Sequence, residues 1–185
     1  MKLDRMIAIA CAATLPLFGA ARAAPAPADC SKAAIPATAA NGKLGGADFA
    51  PSDIHFQAVQ QVGINGVTYD ANTLYLNGTD ASGGQMSLSV STISPQGKPI
   101  DGRTFRTVPG DIGVQPEAGP GAPETQGWSL EYEAKNIDAN SIDDKKASLR
   151  LEFGKRKGAM LPGKITFCAS GGNWLAGTFA VDMSE

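Results

Sequence analysis

In QMSLSVSTI, residues 85–93, Met86, Leu88 and Val90 alternate with Ser87, Ser89 and Ser91. A helix, whose side chains recur every 3.6 residues, cannot sort these residues onto separate faces, whereas an extended strand with its period of two does. The alternation returns in two further segments. Trp128, Leu130, Tyr132 and Ala134 oppose Ser129, Glu131, Glu133 and Lys135, and Leu149, Leu151 and Phe153 oppose Ser148, Arg150 and Glu152. Each segment has one apolar and one wet face, which antiparallel sheets permit and all-parallel sheets, covered on both sides, do not. Strands are predicted at 42–49, 53–60, 72–77, 85–93, 102–108, 128–135, 147–153, 163–169 and 174–182, separated by Gly, Pro, Asn and Asp. About nine one-sided strands imply an all-β fold, an antiparallel, jelly-roll-like β-sandwich. A barrel of up-and-down order would use short turns throughout, and residues 109–127, PGDIGVQPEAGPGAPETQG, read as one long loop.

Residues 1–23, MKLDRMIAIACAATLPLFGAARA, open with Lys2 and Arg5, continue with an apolar stretch and close on Ala21-Arg22-Ala23. This is the layout of an export signal peptide, with cleavage expected before Ala24. The apolar run is broken by Pro16 and falls short of the roughly 18 unbroken residues of a membrane helix, so no transmembrane anchor is expected. The alanine-rich leader has a bacterial character, which makes the periplasm or the medium the expected destination. A competing reading, lipidation at Cys11, lacks the leucine expected in Ala8-Ile9-Ala10 and has almost no apolar region before it. Residues 24–41 read as an extended Ala/Pro-rich arm, and residues 42–185 as a single sandwich domain.

Export leaves Cys30 and Cys168 as a pair in an oxidising compartment, where a disulfide is the default. In GKITFCAS, Ile165, Phe167 and Ala169 share the inner face, which leaves Cys168 with Lys164 and Thr166 on the wetter one. A turn at Ser170-Gly171-Gly172, with Gly172 at positive φ, would join this strand to the next and set Phe167 against either Leu175 or Gly177. The predicted bond clips the amino-terminal arm across the outer face of this hairpin. A nucleophilic role for Cys168 would need a base, and its own hairpin holds no histidine.

The leader takes Lys2, Arg5 and Arg22 from 16 basic residues and Asp4 from 18 acidic ones. The remainder carries a net charge of about −4, the wrong sign for nucleic acid as a partner. The lone histidine, His55, lies out of parity with Ile54 and Phe56 and so faces outward. With no second imidazole, histidine-rich metal sites and ordinary Ser-His hydrolases are disfavoured, and neither a catalytic set, a metal site nor a cofactor is expected. In NIDANSIDD, residues 136–144, the acidic spacing resembles the start of a calcium loop. Residue 142 is Ile, the sixth-position glycine is missing, and Leu149 stands where the bidentate glutamate belongs, so an acidic turn is the expectation. Lys155, Arg156 and Lys157 form a basic tip that could meet an anion, or simply a solvated turn. Asn77-Gly78-Thr79 reads as a turn rather than a glycosylation acceptor. Aromatic residues are 6% of the chain, so most are expected in the core, Trp128 and Tyr132 by parity. Tyr69, Tyr75 and Trp174 remain as candidates for ligand stacking, and Tyr75, out of parity with Leu74 and Leu76, should face outward.

The carboxy-terminal stretches LEFGK, LPGKITFC and AGTF resemble a pattern in uncharacterised secreted bacterial β-rich proteins. There a strand ending Phe-Gly-Lys is followed by Leu-Pro-Gly-Lys-Ile and a closing Gly-Thr-Phe strand. The resemblance covers about the last 35 residues. It implies export and a β-rich fold, and brings no activity and no functional residue with it.

The functional expectation is an exported bacterial β-sandwich that binds a glycan or a protein of the cell envelope through its surface, without catalysis. Two alternatives stand beside it, a hydrolase built on a carboxylate pair and a structural or immunity/inhibitor protein.

Overall fold

The computed structural model describes residues 29–57, 59–64, 66–107, 126–134 and 146–184. The leader 1–23, the loop residues 109–125, the acidic segment 136–144 and the side chains of Trp128 and Tyr132 lie outside the described residues.

The described chain is all-β. Its strands are β1 (Asn41–Leu44), β2 (Ala47–Phe49), β3 (Asp53–Phe56), β4 (Gln60–Ile64), β5 (Val67–Thr79) and β6 (Gln85–Pro95). They continue with β7 (Thr104–Thr107), β8 (Gln126–Glu133), β9 (Ser148–Phe153), β10 (Met160–Cys168) and β11 (Trp174–Asp182). A six-stranded sheet has the order β2-β1-β11-β10-β9-β7, and a five-stranded sheet the order β3-β5-β6-β8, with β4 also on β5. All named strand pairs are antiparallel. Consecutive strands pair in β1–β2, β4–β5–β6 and β9–β10–β11, while from β6 to β9 the chain alternates between the sheets, so that β6 lies beside β8 and β7 beside β9, and the two antiparallel sheets form the expected β-sandwich.

The alternation governs packing as expected. Leu74 and Leu76 of β5, with Met86, Leu88 and Val90 of β6, are buried against Leu149 and Leu151 of β9, Ile165 and Phe167 of β10, and Leu175 and Val181 of β11. Phe153 links this core, its ring lying 5.6, 6.0 and 6.1 Å from those of Phe56, Phe105 and Phe179. Edge-on aromatic pairs of this kind add roughly 0.5–1.5 kcal/mol beyond the area they bury.

Several boundaries differ from expectation for local reasons. The predicted strand 42–49 is two strands, because Gly45 and Gly46, at φ 59° and 82°, turn the chain into a hairpin. The predicted strand 53–60 ends at Phe56, and a separate β4 begins at Gln60, both on the same edge of β5. Asn77-Gly78-Thr79 is strand rather than turn. The Phe49 ring lies where a side chain on Gly78 would stand, and the turn begins at Asp80, whose carboxylate accepts from the backbone N–H of Ser82 and of Gly84. At the carboxy-terminal hairpin the register sets Phe167 opposite Leu175, with Gly171 and Gly172 at φ 71° and 76° in the turn.

The arm is a strap over the six-stranded sheet. Cys30 is bonded to Cys168, with Cα atoms 5.6 Å apart and 138 residues between them in sequence. The Cys30 N–H donates to the Ser148 hydroxyl at 2.9 Å, and the Thr166 hydroxyl donates to the Cys30 carbonyl at 2.7 Å. Cys168 therefore differs from expectation in one respect: it lies outside the core, yet the strap leaves only 5% of it exposed. Further along, the Thr178 N–H donates to the Thr38 carbonyl at 2.8 Å, and the chain then enters β1 alongside β11.

Candidate functional site

Over residues 73–79 of β5 and 85–91 of β6 the five-stranded sheet turns its polar side chains away from the core. Register places them in rows that cross the strands: Asp53 is opposite Asn77, Asn77 opposite Ser87, and Ser87 opposite Glu133. The next row begins with His55 opposite Tyr75, and Tyr75 opposite Ser89. At the head of these rows is an open cleft of about 380 Å³, lined by Ser52, Asp53, Asn77, Thr79, Gln85 and Glu133 among others.

The rows are tied together by their own contacts. The Asn77 amide donates to Asp53 Oδ2 at 3.1 Å, and His55 Nδ1 lies 3.2 Å from Asp53 Oδ1. The Asn77 hydrogen bond first, and His55 second, hold the Asp53 carboxyl below its ordinary value, so it is an anion at neutral pH. The His55 and Tyr75 rings are stacked at 5.3 Å with an interplanar angle of 20°. The Tyr75 hydroxyl donates to Gln57 Oε1 at 3.4 Å. The result is a stacked pair of rings with hydrogen-bonding groups beside it, half exposed to solvent.

Charge is divided between the two sheets. Every Lys and Arg within a described strand, namely Lys43, Arg106, Arg150 and Lys164, belongs to the six-stranded sheet. The strands of the five-stranded sheet hold Asp53, Asp70, Glu131 and Glu133 and neither Lys nor Arg.

The three stacking candidates do not come together. Tyr75 is on the polar face just described. Tyr69 is buried in a second, smaller apolar cluster with Ala71 and Ile93, against Val62, which removes it as an exposed platform. Trp174 is half-buried on the other sheet, opposite Cys168 in β10 and Lys43 in β1. The basic tip is exposed at Lys155, Arg156 and Lys157, but Arg156 is paired with Asp101, Nε to Oδ1 at 3.3 Å. Lys157 is joined by backbone hydrogen bonds to Met160 around Gly158, so the tip is a tight turn that starts β10 earlier than expected.

Asp53 and Glu133 share the cleft, yet three strand intervals separate them. At about 4.8 Å per interval their backbones stand about 14 Å apart. Among the described residues no group of three or more His, Cys, Asp or Glu is placed to hold a metal ion. None of the described helices is long and apolar enough to cross a membrane.

His55, Asn77 and Asp53 were not singled out together from sequence, since 24 residues separate Asp53 from Asn77. The usable signal is the absence of Lys and Arg from the strand segments on both sides of Tyr75. No protein-family model, no curated protein and no solved structure matches this chain.

Proposed function

We propose that the protein is an exported, non-catalytic glycan-binding module of the bacterial envelope or medium, and that it binds through the outer face of the five-stranded sheet. One observation carries this reading: the stacked His55 and Tyr75 rings sit beside Gln57, Asp53 and Asn77 on a half-exposed surface. A sugar ring presents an apolar face that packs on aromatic rings and a rim of hydroxyls that need donors and acceptors, and this surface offers both. The strap disulfide supports the compartment, because such bonds persist where the surroundings are oxidising.

The test is direct. Protein recovered from the periplasm and medium of an expressing bacterium should begin at Ala24, contain no free thiol, and bind one or more glycans on an array. Tyr75→Ala should lose that binding and keep its thermal midpoint. Retention of binding by Tyr75→Ala, or failure of every envelope glycan to bind, overturns the reading.

A further inference from the structure

We infer that the ligand of this face is a glycan carrying free amino groups, an unacetylated amino-sugar polymer rather than a neutral or acidic one. The inference rests on the glycan reading above and adds the chemical class. Its ground is the division of charge: the strands of the five-stranded sheet hold no Lys or Arg, and two of their carboxylates, Asp53 and Glu133, line the cleft.

Asp53 and Glu133 stand at opposite ends of one row, both exposed, with Asn77 and Ser87 between them. Each carboxylate is exposed, and the lone pairs of Asp53 not taken by Asn77 and His55 can accept from an ammonium group, the stronger, charge-assisted form of hydrogen bond. Asp53 is held ionised by Asn77 and His55, so it remains an anion in mildly acid surroundings. A uronic or phosphorylated sugar would meet two carboxylates and no fixed cation within these strands, and like charges brought together suppress the wrong partner. In the neighbouring row, Tyr75 offers a ring that attracts both a sugar's apolar side and a nearby ammonium. The spacing of about 14 Å between the ends of the row spans about three sugar units, so amino groups on non-adjacent units can reach both carboxylates in one bound chain.

The experiment titrates the full protein with a glucosamine oligomer, its N-acetylated counterpart, an oligogalacturonate and oligolysine, at low and high salt. The glucosamine oligomer should bind at least tenfold tighter than the acetylated one. Asp53→Asn and Glu133→Gln should each weaken it by about two- to fivefold and flatten its salt dependence, as expected for exposed charge pairs. Equal binding of the acetylated oligomer, lost in Tyr75→Ala, overturns the amino-sugar class while leaving the glycan reading in place. Failure of every glycan overturns both. Oligolysine binding as tightly as the glucosamine oligomer would show that charge alone is recognised and that the partner is a basic protein, which also overturns the inference.

Discussion

The Thr166 hydroxyl donates to the Cys30 carbonyl at 2.7 Å, joining residues 136 positions apart in a site that excludes water. With Ser148 accepting from the Cys30 N–H, both polar groups of the Cys30 backbone are satisfied where the strap crosses the sheet. Thr166→Val would leave the buried Cys30 carbonyl with only the longer bond from the Ala33 N–H, 3.3 Å, at nearly constant volume. The expected loss is about 0.5–1.5 kcal/mol of unfolding free energy by urea titration, with the disulfide still formed. An unchanged midpoint would mean that the hydrogen bond adds nothing to the covalent link.

Removal of the disulfide should cost more. The chain-entropy estimate for a loop of this length is about 4–5 kcal/mol, an upper figure, so Cys30→Ser with Cys168→Ser should lower the denaturation midpoint well below that of Thr166→Val. Addition of reductant to the unaltered protein should reproduce most of that loss.

Gly177 tests the close approach of the strap. Its φ is 140°, and a side chain there would stand 2.6 Å from the Ala40 Cα and 2.7 Å from the Thr38 carbonyl oxygen, both backbone atoms with little freedom to yield. Gly177→Ala should destabilise by roughly 1–3 kcal/mol, the usual scale of overpacking. Hydrogen exchange should show the Ala40 and Thr178 amides losing protection before the core strands do.

Phe153 is the residue on which three other aromatic rings converge. Phe153→Ala should cost about 3–5 kcal/mol in equilibrium unfolding, and Phe153→Leu much less, since most of the volume is restored.

Acid stability follows from three aspartates held below their ordinary value near 3.8. The Ser31 hydroxyl does this for Asp29, the Asn77 amide for Asp53, and the Ser184 backbone N–H for Asp182. A carboxyl depressed in the folded state contributes stability that is complete above its unfolded value and lost as pH falls through the folded one. The thermal midpoint should therefore be flat in these terms above pH 5 and should decline below pH 3.8. Asp29→Asn should decline less steeply over that acid range, and an identical slope would remove Asp29 from the account.

Parity made the faces of β6, β9, β10 and β11 legible before any coordinates, because one methyl-rich side chain in every two leaves a strand little choice of orientation. It also identified Tyr75 and His55 as outward. The lengths were less legible. In β5, Asp70 and Asn72 interrupt the apolar alternation, yet the strand runs back to Val67 because β4 and β6 pair with it on both sides. The Gly45-Gly46 hairpin was hidden because two short strands with a glycine pair read, residue by residue, like one. The burial of Cys168 depends on the path of the arm, which parity does not contain. The candidate face was illegible for the same reason: its rows are drawn by register across strands, and periodicity within each strand says nothing of its neighbours.

Ten of the eleven described strands lie between Cys30 and Cys168. This makes the polypeptide close to circular. One cut in any loop between residues 31 and 167 leaves both fragments covalently attached, so release of a piece requires a second cut or a reductant.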